Sequence, residues 1–246
     1  MTREHIMIST AARLIRDDDV CFVGTGLPML AAYTAKRLNA PGVTLLFESG
    51  ILDPSPMDLA VGVGDFPLTL DALQLGDVLR SLTYLHGGRV SLGFLGAAQI
   101  DRRGNINTTF VGGTYTNPRL RLPGSGGAND IAASAGRTIV LVRHERRKLV
   151  KRVDYITTPG WGTSAGERGP DLVITDLAVL GFDRDGNMLV RSVHEGVTWD
   201  EVERNTGFAI APPDPWRTTP APTSKEVAII DSLDPTGFYL ERGGKF

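Results

Sequence analysis

A chain of 246 residues with 41% hydrophobic side chains can build a full core without covalent staples, and its net charge of −2 gives no electrostatic case for nucleic acid as a partner. One cysteine, Cys21, excludes an intrachain disulfide and any cysteine-rich metal site, and no apolar stretch approaches the ~20 residues that a bilayer span needs. The opening MTREHIMIS carries charges where a secretory leader needs an apolar centre, so no membrane association and a cytoplasmic location are expected.

Met7, Ile8, Ala11, Ala12, Leu14 and Ile15 fall on helical spacing and predict an amphipathic helix over 2–16, broken by Asp17, Asp18 and Asp19. Val20 to Gly24 then reads as a buried strand, with Cys21 inside it as an inert thiol. Pro28 suits a first helical turn, and Leu27, Leu30, Ala31, Thr34, Ala35 and Leu38 mark one face of a helix that closes near Asn39. The continuously apolar run from Val43 to Phe47 predicts a second buried strand, parallel to the first in a βαβ unit.

That second strand stops at Glu48, followed at once by Ser49 and Gly50. In open α/β sheets the carboxyl ends of the strands face the ligand crevice, so a carboxylate there is aimed at a ligand, unless it merely ends a strand. Gly24-Thr25-Gly26 with an acid about twenty residues on also imitates a dinucleotide fingerprint. The imitation is incomplete. Met29 stands where the third glycine belongs, and Pro28 removes an N–H from the turn that would cradle a pyrophosphate, so an NAD-binding dehydrogenase is disfavoured.

The segment LDPSPMDLAVGVGDFP after Gly50 predicts a loop around the site, with Asp53, Asp58 and Asp65 in turn or capping roles because no His or Cys cluster accompanies them. A helix is predicted over 71–85 and a strand over 90–100, leading into the polar turn Asp101-Arg102-Arg103-Gly104-Asn105. Asn105 and Asn107 can orient a carboxylate without protonating it, or simply shape the turn. Gly124-Ser125-Gly126-Gly127-Ala128-Asn129-Asp130 runs into small residues and reads as a loop feeding a helix N-terminus. Such a junction suits a developing oxyanion, and lacks the Gly-Lys-Ser or Gly-Lys-Thr of a phosphate loop.

A strand over 138–144 is followed by RHERRKLVKR at 143–152, six basic residues against one acid, which fits either phosphates of an acidic cofactor or a solvated hairpin or subunit contact. His144 and His194 have no Ser or Cys motif to complete a triad and read as structural. Two strands, 171–183 and 188–194, are joined by the hairpin turn Arg184-Asp185-Gly186-Asn187. Thr198 and Glu201 then cap a short helix, and a proline-rich stretch precedes a last helix over 225–233. Together these predict one α/β domain over 1–246, a mainly parallel sheet between helices with a small antiparallel annex.

GTGLPM at 24–29, FESGILDPSP at 47–56, GAAQIDRRGNIN at 96–107, GSGGAND at 124–130 and HERRKLVKRVDYITTPGW at 144–161 together, and in this order, resemble the class I CoA-transferases, B subunits of the glutaconate CoA-transferase kind. The resemblance implies the NagB/RpiA/CoA-transferase-like fold, an A subunit of the same fold, and a heterotetramer or larger assembly. It implies Glu48 as the nucleophile that becomes a glutamyl-CoA thioester in a ping-pong cycle. Gly126, Gly127 and Ala128 are implied at the oxyanion site; Ser49, Gly50, Asn105 and Asn107 are further expected beside the substrate, and Gly24 and Gly26 against coenzyme A. Coenzyme A enters as substrate and covalent intermediate, and neither metal nor NAD is implied. An acyl-CoA hydrolase or decarboxylase on the same fold is the alternative, and a non-catalytic partner subunit is disfavoured by the presence of Glu48.

Overall fold

The computed structural model describes residues 1–56, 58–162 and 168–242. In chain order they form α1 (Arg3–Arg13), β1 (Val20–Val23), α2 (Leu27–Leu38), β2 (Thr44–Phe47), α3 (Val78–His86), β3 (Leu92–Gly96), β4 (Gln99–Asp101), β5 (Ile106–Asn107), β6 (Phe110–Gly113), β7 (Pro118–Arg121), α4 (Ala128–Ser134), β8 (Arg137–Leu141), β9 (Leu149–Val150), β10 (Leu172–Ile174), β11 (Ala178–Phe182), β12 (Met188–His194), α5 (Trp199–Asn205), β13 (Thr218–Thr219), α6 (Ser224–Leu233) and α7 (Phe238–Arg242). Their contacts gather into two compact units. One is built from Met1–Leu95, Ser134–Arg137 and Ala221–Lys245, the other from Gly96–Ala133 and Thr138–Pro220.

The first unit is a parallel layer in the order β3-β1-β2, with Val20 to Val23 paired to Thr44 to Phe47 and Cys21 paired to Leu92. Its strands are apolar on both faces and buried almost throughout, as parallel strands covered by helices must be. α2 packs against α1 and α6. α6 is tied down where the Arg13 guanidinium grips both Glu226 carboxylate oxygens at 2.7 Å. At the amino end of the layer Asp19 accepts from Ser91 Oγ (2.7 Å), Arg137 Nη2 (2.6 Å) and the Arg16 N–H (2.8 Å). Burial pushes the Asp19 carboxyl up, but those three bonds outweigh it and hold the group below the usual carboxylate range.

In the second unit β8 and β10 are parallel, β10, β11 and β12 form an antiparallel meander, and β13 closes parallel to β12. A small sheet runs β5-β4-β9, with β4 and β5 antiparallel and β4 and β9 parallel, and β6 and β7 make a separate hairpin. A mainly parallel sheet with helices and a small antiparallel annex is the architecture expected from the sequence.

Several elements differ from expectation. The helix predicted over 71–85 begins only at Val78: Asp71 has φ +49°, Gln74 bridges to Leu52, and Asp77 caps the helix by accepting the Arg80 N–H at 2.9 Å. The strand predicted over 90–100 is two strands in different sheets. The strand predicted over 171–183 is also two, because the Thr175 hydroxyl accepts from the Leu177 and Ala178 N–H groups and folds a tight turn between β10 and β11. The β6–β7 hairpin and α7 had no expected counterpart. The loop reading over 52–67 holds for the described residues as far as Asp65; Phe66 and Pro67 open a short 3-10 helix (Phe66–Thr69), and residue 57 lies outside the described residues. Asp65 accepts from the Val61 and Gly62 N–H groups, and Asp53 pairs with Lys36 at 2.6 Å, so both acids serve the scaffold.

Candidate active site

Parallel register lines up the carboxyl ends of the first unit. Because Val23 faces Phe47 and Phe22 faces Gly93, the residues that continue past the ladder at one level are Gly24, Glu48 and Leu95. Glu48 therefore stands at the crevice edge of the layer, next to the Gly24-Thr25-Gly26 turn that opens α2. Gly26 has φ +84°, a conformation suited to glycine, and a Cβ on either Gly24 or Gly26 would meet nothing within 4 Å. The turn leaves open space above the strand ends rather than filling it.

The backbone under Glu48 is fixed from several sides. The Gly50 N–H donates to the Phe47 carbonyl at 2.9 Å, closing a tight turn over 47–50, and the Phe47 N–H donates to Ile51. Gly50 sits at φ +88° against Asp77, so close that a Cβ would lie 2.2 Å from the Asp77 carbonyl oxygen. Gly76 meets the Gly50 carbonyl oxygen from the other direction, at 2.9 Å from where its own Cβ would be. Ser81, one turn into α3 and fully buried, donates its hydroxyl to the Glu48 carbonyl at 2.8 Å. The Glu48 side chain is half-buried, and its carboxylate has no hydrogen bond or ion pair among the described residues. Ser49 Oγ is buried with no partner among the described residues. Asp77, Gly76 and Ser81 were missed in the sequence. The signal was the aspartate three residues before Arg80 at the head of an apolar run.

The second unit carries the glycine loop. Gly124 and Gly126 have φ of +98° and +48°, and the loop is pinned to Thr108, which donates its hydroxyl to the Gly124 carbonyl at 2.8 Å and accepts the Gly124 N–H on its own carbonyl at 2.9 Å. The Ala128 N–H donates to Ser125 within the loop, whereas no acceptor takes the N–H groups of Gly126 and Gly127 among the described residues. Ser125 Oγ is a second buried hydroxyl without a partner among them. Unpaired N–H groups on a constrained loop are what a carbonyl oxygen gaining negative charge requires.

Asn105 and Asn107, expected beside a substrate, have their amides engaged within the fold. Asn105 Nδ2 donates to both Asp101 oxygens, and its Oδ1 accepts from the Gly160 N–H at 2.8 Å. Asn107, wholly buried, donates to Gln99 Oε1 and the Phe110 carbonyl and accepts from the Thr109 N–H. With both ends of each amide engaged, they are turn and strand-end locks. His144 is likewise structural: its ring nitrogens each lie 2.9 Å from a threonine hydroxyl, of Thr175 and Thr206, and burial holds its pKa down at about 4. His194 donates Nε2 to the Thr175 carbonyl at 2.8 Å. Cys21 is fully buried, and burial pushes its thiol well above the ordinary range, so it is no nucleophile.

Comparison with known proteins identifies the family. The coenzyme A transferase family profile matches residues 5–205. The chain is 39% identical over 242 residues to the B-type subunit of 3-oxoadipate CoA-transferase from Pseudomonas knackmussii, covering 94% of this chain and 92% of that one. Among solved structures it superposes on glutaconate coenzyme A-transferase from Acidaminococcus fermentans with a TM-score of 0.89 and 33% identity, covering 98% of this chain and 97% of that one. It superposes on the decarboxylase AibA/AibB with a TM-score of 0.87 and 28% identity, covering 98% of each. On a family match spanning most of its length and on these identities, the chain belongs to the coenzyme A transferase family.

Proposed function

We propose that this chain is the B-type subunit of a heteromeric CoA-transferase that moves coenzyme A from an acyl-CoA to a free carboxylate through a glutamyl-CoA thioester on Glu48. The observation that carries the reading is a carboxylate with no partner among the described residues, held on an over-determined turn at the crevice edge of a parallel layer. A structural acid would have its bonds made; this one is positioned and left reactive.

In the proposed cycle the Glu48 carboxylate adds to the thioester carbonyl carbon. The C–S bond breaks, and coenzyme A leaves as the thiolate, giving a mixed anhydride. The thiolate then adds to the Glu48 acyl carbon, the C–O bond to the donor acid breaks, and the donor leaves as a carboxylate. The acceptor carboxylate runs the same two steps in reverse. Thioester energy is carried through, so the scheme calls for no ATP, metal or NAD. Each addition places negative charge on a carbonyl oxygen, and one well-aimed N–H is worth about 3 kcal/mol of barrier there. Gly126 and Gly127 are the assigned donors. Ala128, its N–H already given to Ser125, holds the loop in shape. Gly24 and Gly26 leave room for coenzyme A, Gly50 fixes the turn, and the Ser49 hydroxyl is available to a bound oxygen.

A partner A subunit, in a heterotetramer or larger, is part of the proposal, as are a cytoplasmic location and the action of residues 1–246 as a single domain. Two things support the partner. The 3-oxoadipate relative is named as one subunit of its enzyme. The segment after Glu48 and the outer face of α3 also expose Val61, Phe66, Leu70, Leu73, Leu75, Val78 and Leu79, with Phe66 76% and Leu79 74% accessible. So many large apolar side chains within one short stretch of chain mark a surface meant to be covered.

The decarboxylase superposition favours a second reading, acyl-CoA decarboxylation on the same scaffold. Intact-mass measurement decides between them. Given acyl-CoA without an acceptor acid, the assembled complex should accumulate this chain plus coenzyme A, lost on adding a competing nucleophile. A decarboxylase forms no such adduct, and release of carbon dioxide without adduct would replace the transfer reading.

A further inference from the structure

The basic run at 143–152 takes no part in the proposed Glu48 chemistry, and the fold gives it a distinct setting. β4 and β9 pair in parallel with Ile100 opposite Leu149 and Asp101 opposite Val150, so the next residues in register are Arg102 and Lys151. Two basic stretches distant in sequence, Arg102-Arg103 and Arg146 to Lys151, are thereby set side by side. A third segment is drawn in by Gly207, whose N–H donates to the Leu149 carbonyl at 2.7 Å and whose Cβ, if present, would lie 2.3 Å from that same oxygen. Phe208 follows directly.

These segments line a cavity of about 720 Å³ holding Arg102, Arg103, Arg146 and Lys151, with Glu203 as its one carboxylate and Phe208 as its one aromatic ring. None of the four cations forms an ion pair among the described residues. Arg103 is instead oriented by neutral acceptors, the Trp161 carbonyl at 3.0 Å, the Asp185 carbonyl at 2.5 Å and Asn187 Oδ1 at 3.2 Å, while Arg102 meets Asn187 Oδ1 at 2.8 Å. Arg146 makes only long contacts to the Arg204 and Thr206 carbonyls, and Lys151 makes no hydrogen bond among the described residues. Arg103 also acts on the Asp183 carboxylate, but four cations around a cavity with the single carboxylate Glu203 leave an excess of positive charge that suits an anion rather than internal stability. The volume suits a small organic ligand, and the half-exposed Phe208 ring, which stacks on no other aromatic side chain among the described residues, offers a face to a flat base.

We propose that this cavity binds an adenine nucleotide, its phosphates on Arg102, Arg103, Arg146 and Lys151 and its base on Phe208. The ligand is either the nucleotide end of coenzyme A or a free nucleotide acting apart from the acyl chemistry. The chemistry is the same for both.

The test uses the chain assembled with its A subunit and a fluorescent N-methylanthraniloyl-ADP probe, competed with ADP, inorganic pyrophosphate and adenosine. Saturable binding, displaced by ADP and weakened as salt rises, is expected. Lys151→Glu and Arg146→Ala, both at exposed positions, should each weaken ADP by about tenfold. Phe208→Ala should weaken ADP by about tenfold while leaving pyrophosphate nearly unchanged. If coenzyme A displaces the probe and Lys151→Glu raises KM for acyl-CoA with kcat unchanged, the ligand is the substrate's own nucleotide end. If saturating acyl-CoA leaves probe binding intact, it is a separate nucleotide. Absence of saturable binding overturns the proposal, as does binding indifferent to both Lys151→Glu and Phe208→Ala. Binding by the isolated chain that vanishes in the assembled complex also overturns it, and makes the face a seat for an acidic surface of the partner. Because binding is read without turnover, a failed Glu48 mechanism and a failed nucleotide site give different results.

Discussion

The two ends of the first unit's parallel layer each carry an acid, and they are built oppositely. At the amino end Asp19 is 4% exposed and its oxygens are taken by Ser91, Arg137 and the Arg16 N–H. At the carboxyl end Glu48 is half-buried, its backbone clamped by Phe47, Gly50 and Ser81 and its carboxylate left without a partner among the described residues. A carboxylate whose bonds are all made contributes stability; one without partners on clamped backbone is what the proposed nucleophile needs. The comparison separates the two roles within a few residues of β1 and β2, using the same type of side chain.

The sharpest way to break the comparison is Glu48→Gln. Turnover should fall by about a thousandfold or more, while the melting temperature stays within about 2 °C of wild type because no internal bond is lost. Turnover near the wild-type rate would make Glu48 another strand-end acid like Asp19. Gly50→Ala attacks the clamp instead: with φ at +88° and Asp77 in the way, urea unfolding should show a loss of about 3 kcal/mol.

Acid titration sharpens the same contrast in the second unit, at saturated His144. Its folded pKa of about 4 lies below the unfolded value of 6.5, so the unfolded chain takes up the proton first. The contribution is fully present above pH 6.5 and is lost as pH falls from there toward 4. It amounts to about 3 kcal/mol, measurable as a declining urea midpoint that His144→Asn should flatten. Asp19→Asn has the smallest effect, about 2 kcal/mol of stability, since Arg137 loses its carboxylate but keeps some access to water. Its turnover per folded molecule should match wild type. The depressed carboxyl pKa of Asp19 adds stability that is lost only as pH falls below the ordinary aspartate range.

Much of the fold was legible because it depends on local pattern. The apolar runs 20–23 and 43–47 and the helical face from Leu27 to Leu38 became β1, β2 and α2 nearly residue for residue. Misreadings came where one polar side chain overrides the pattern: the Thr175 hydroxyl breaks an apolar run into two strands, and Asp77 delays a helix that its periodicity would start earlier. The position of Glu48 at a strand end could be read from sequence, but not that its carboxylate is unpartnered, which depends on every residue that folds near it. The amides of Asn105 and Asn107 looked equally available, and only tertiary neighbours such as Gln99 and Gly160 reveal them as consumed.

The crossing of Gly50 and Gly76 has a consequence for how such a sequence can drift. Each glycine leaves room for the other strand of chain, Gly50 against the Asp77 backbone and Gly76 against the Gly50 carbonyl. Every missense change at a glycine codon adds at least a Cβ, so there is no single mutational step away from either position that avoids a collision. The two codons are frozen as a pair. A lineage that abandons the proposed Glu48 chemistry remains free to exchange the carboxylate itself, which bonds to none of the described residues, before it can relax the glycines under it.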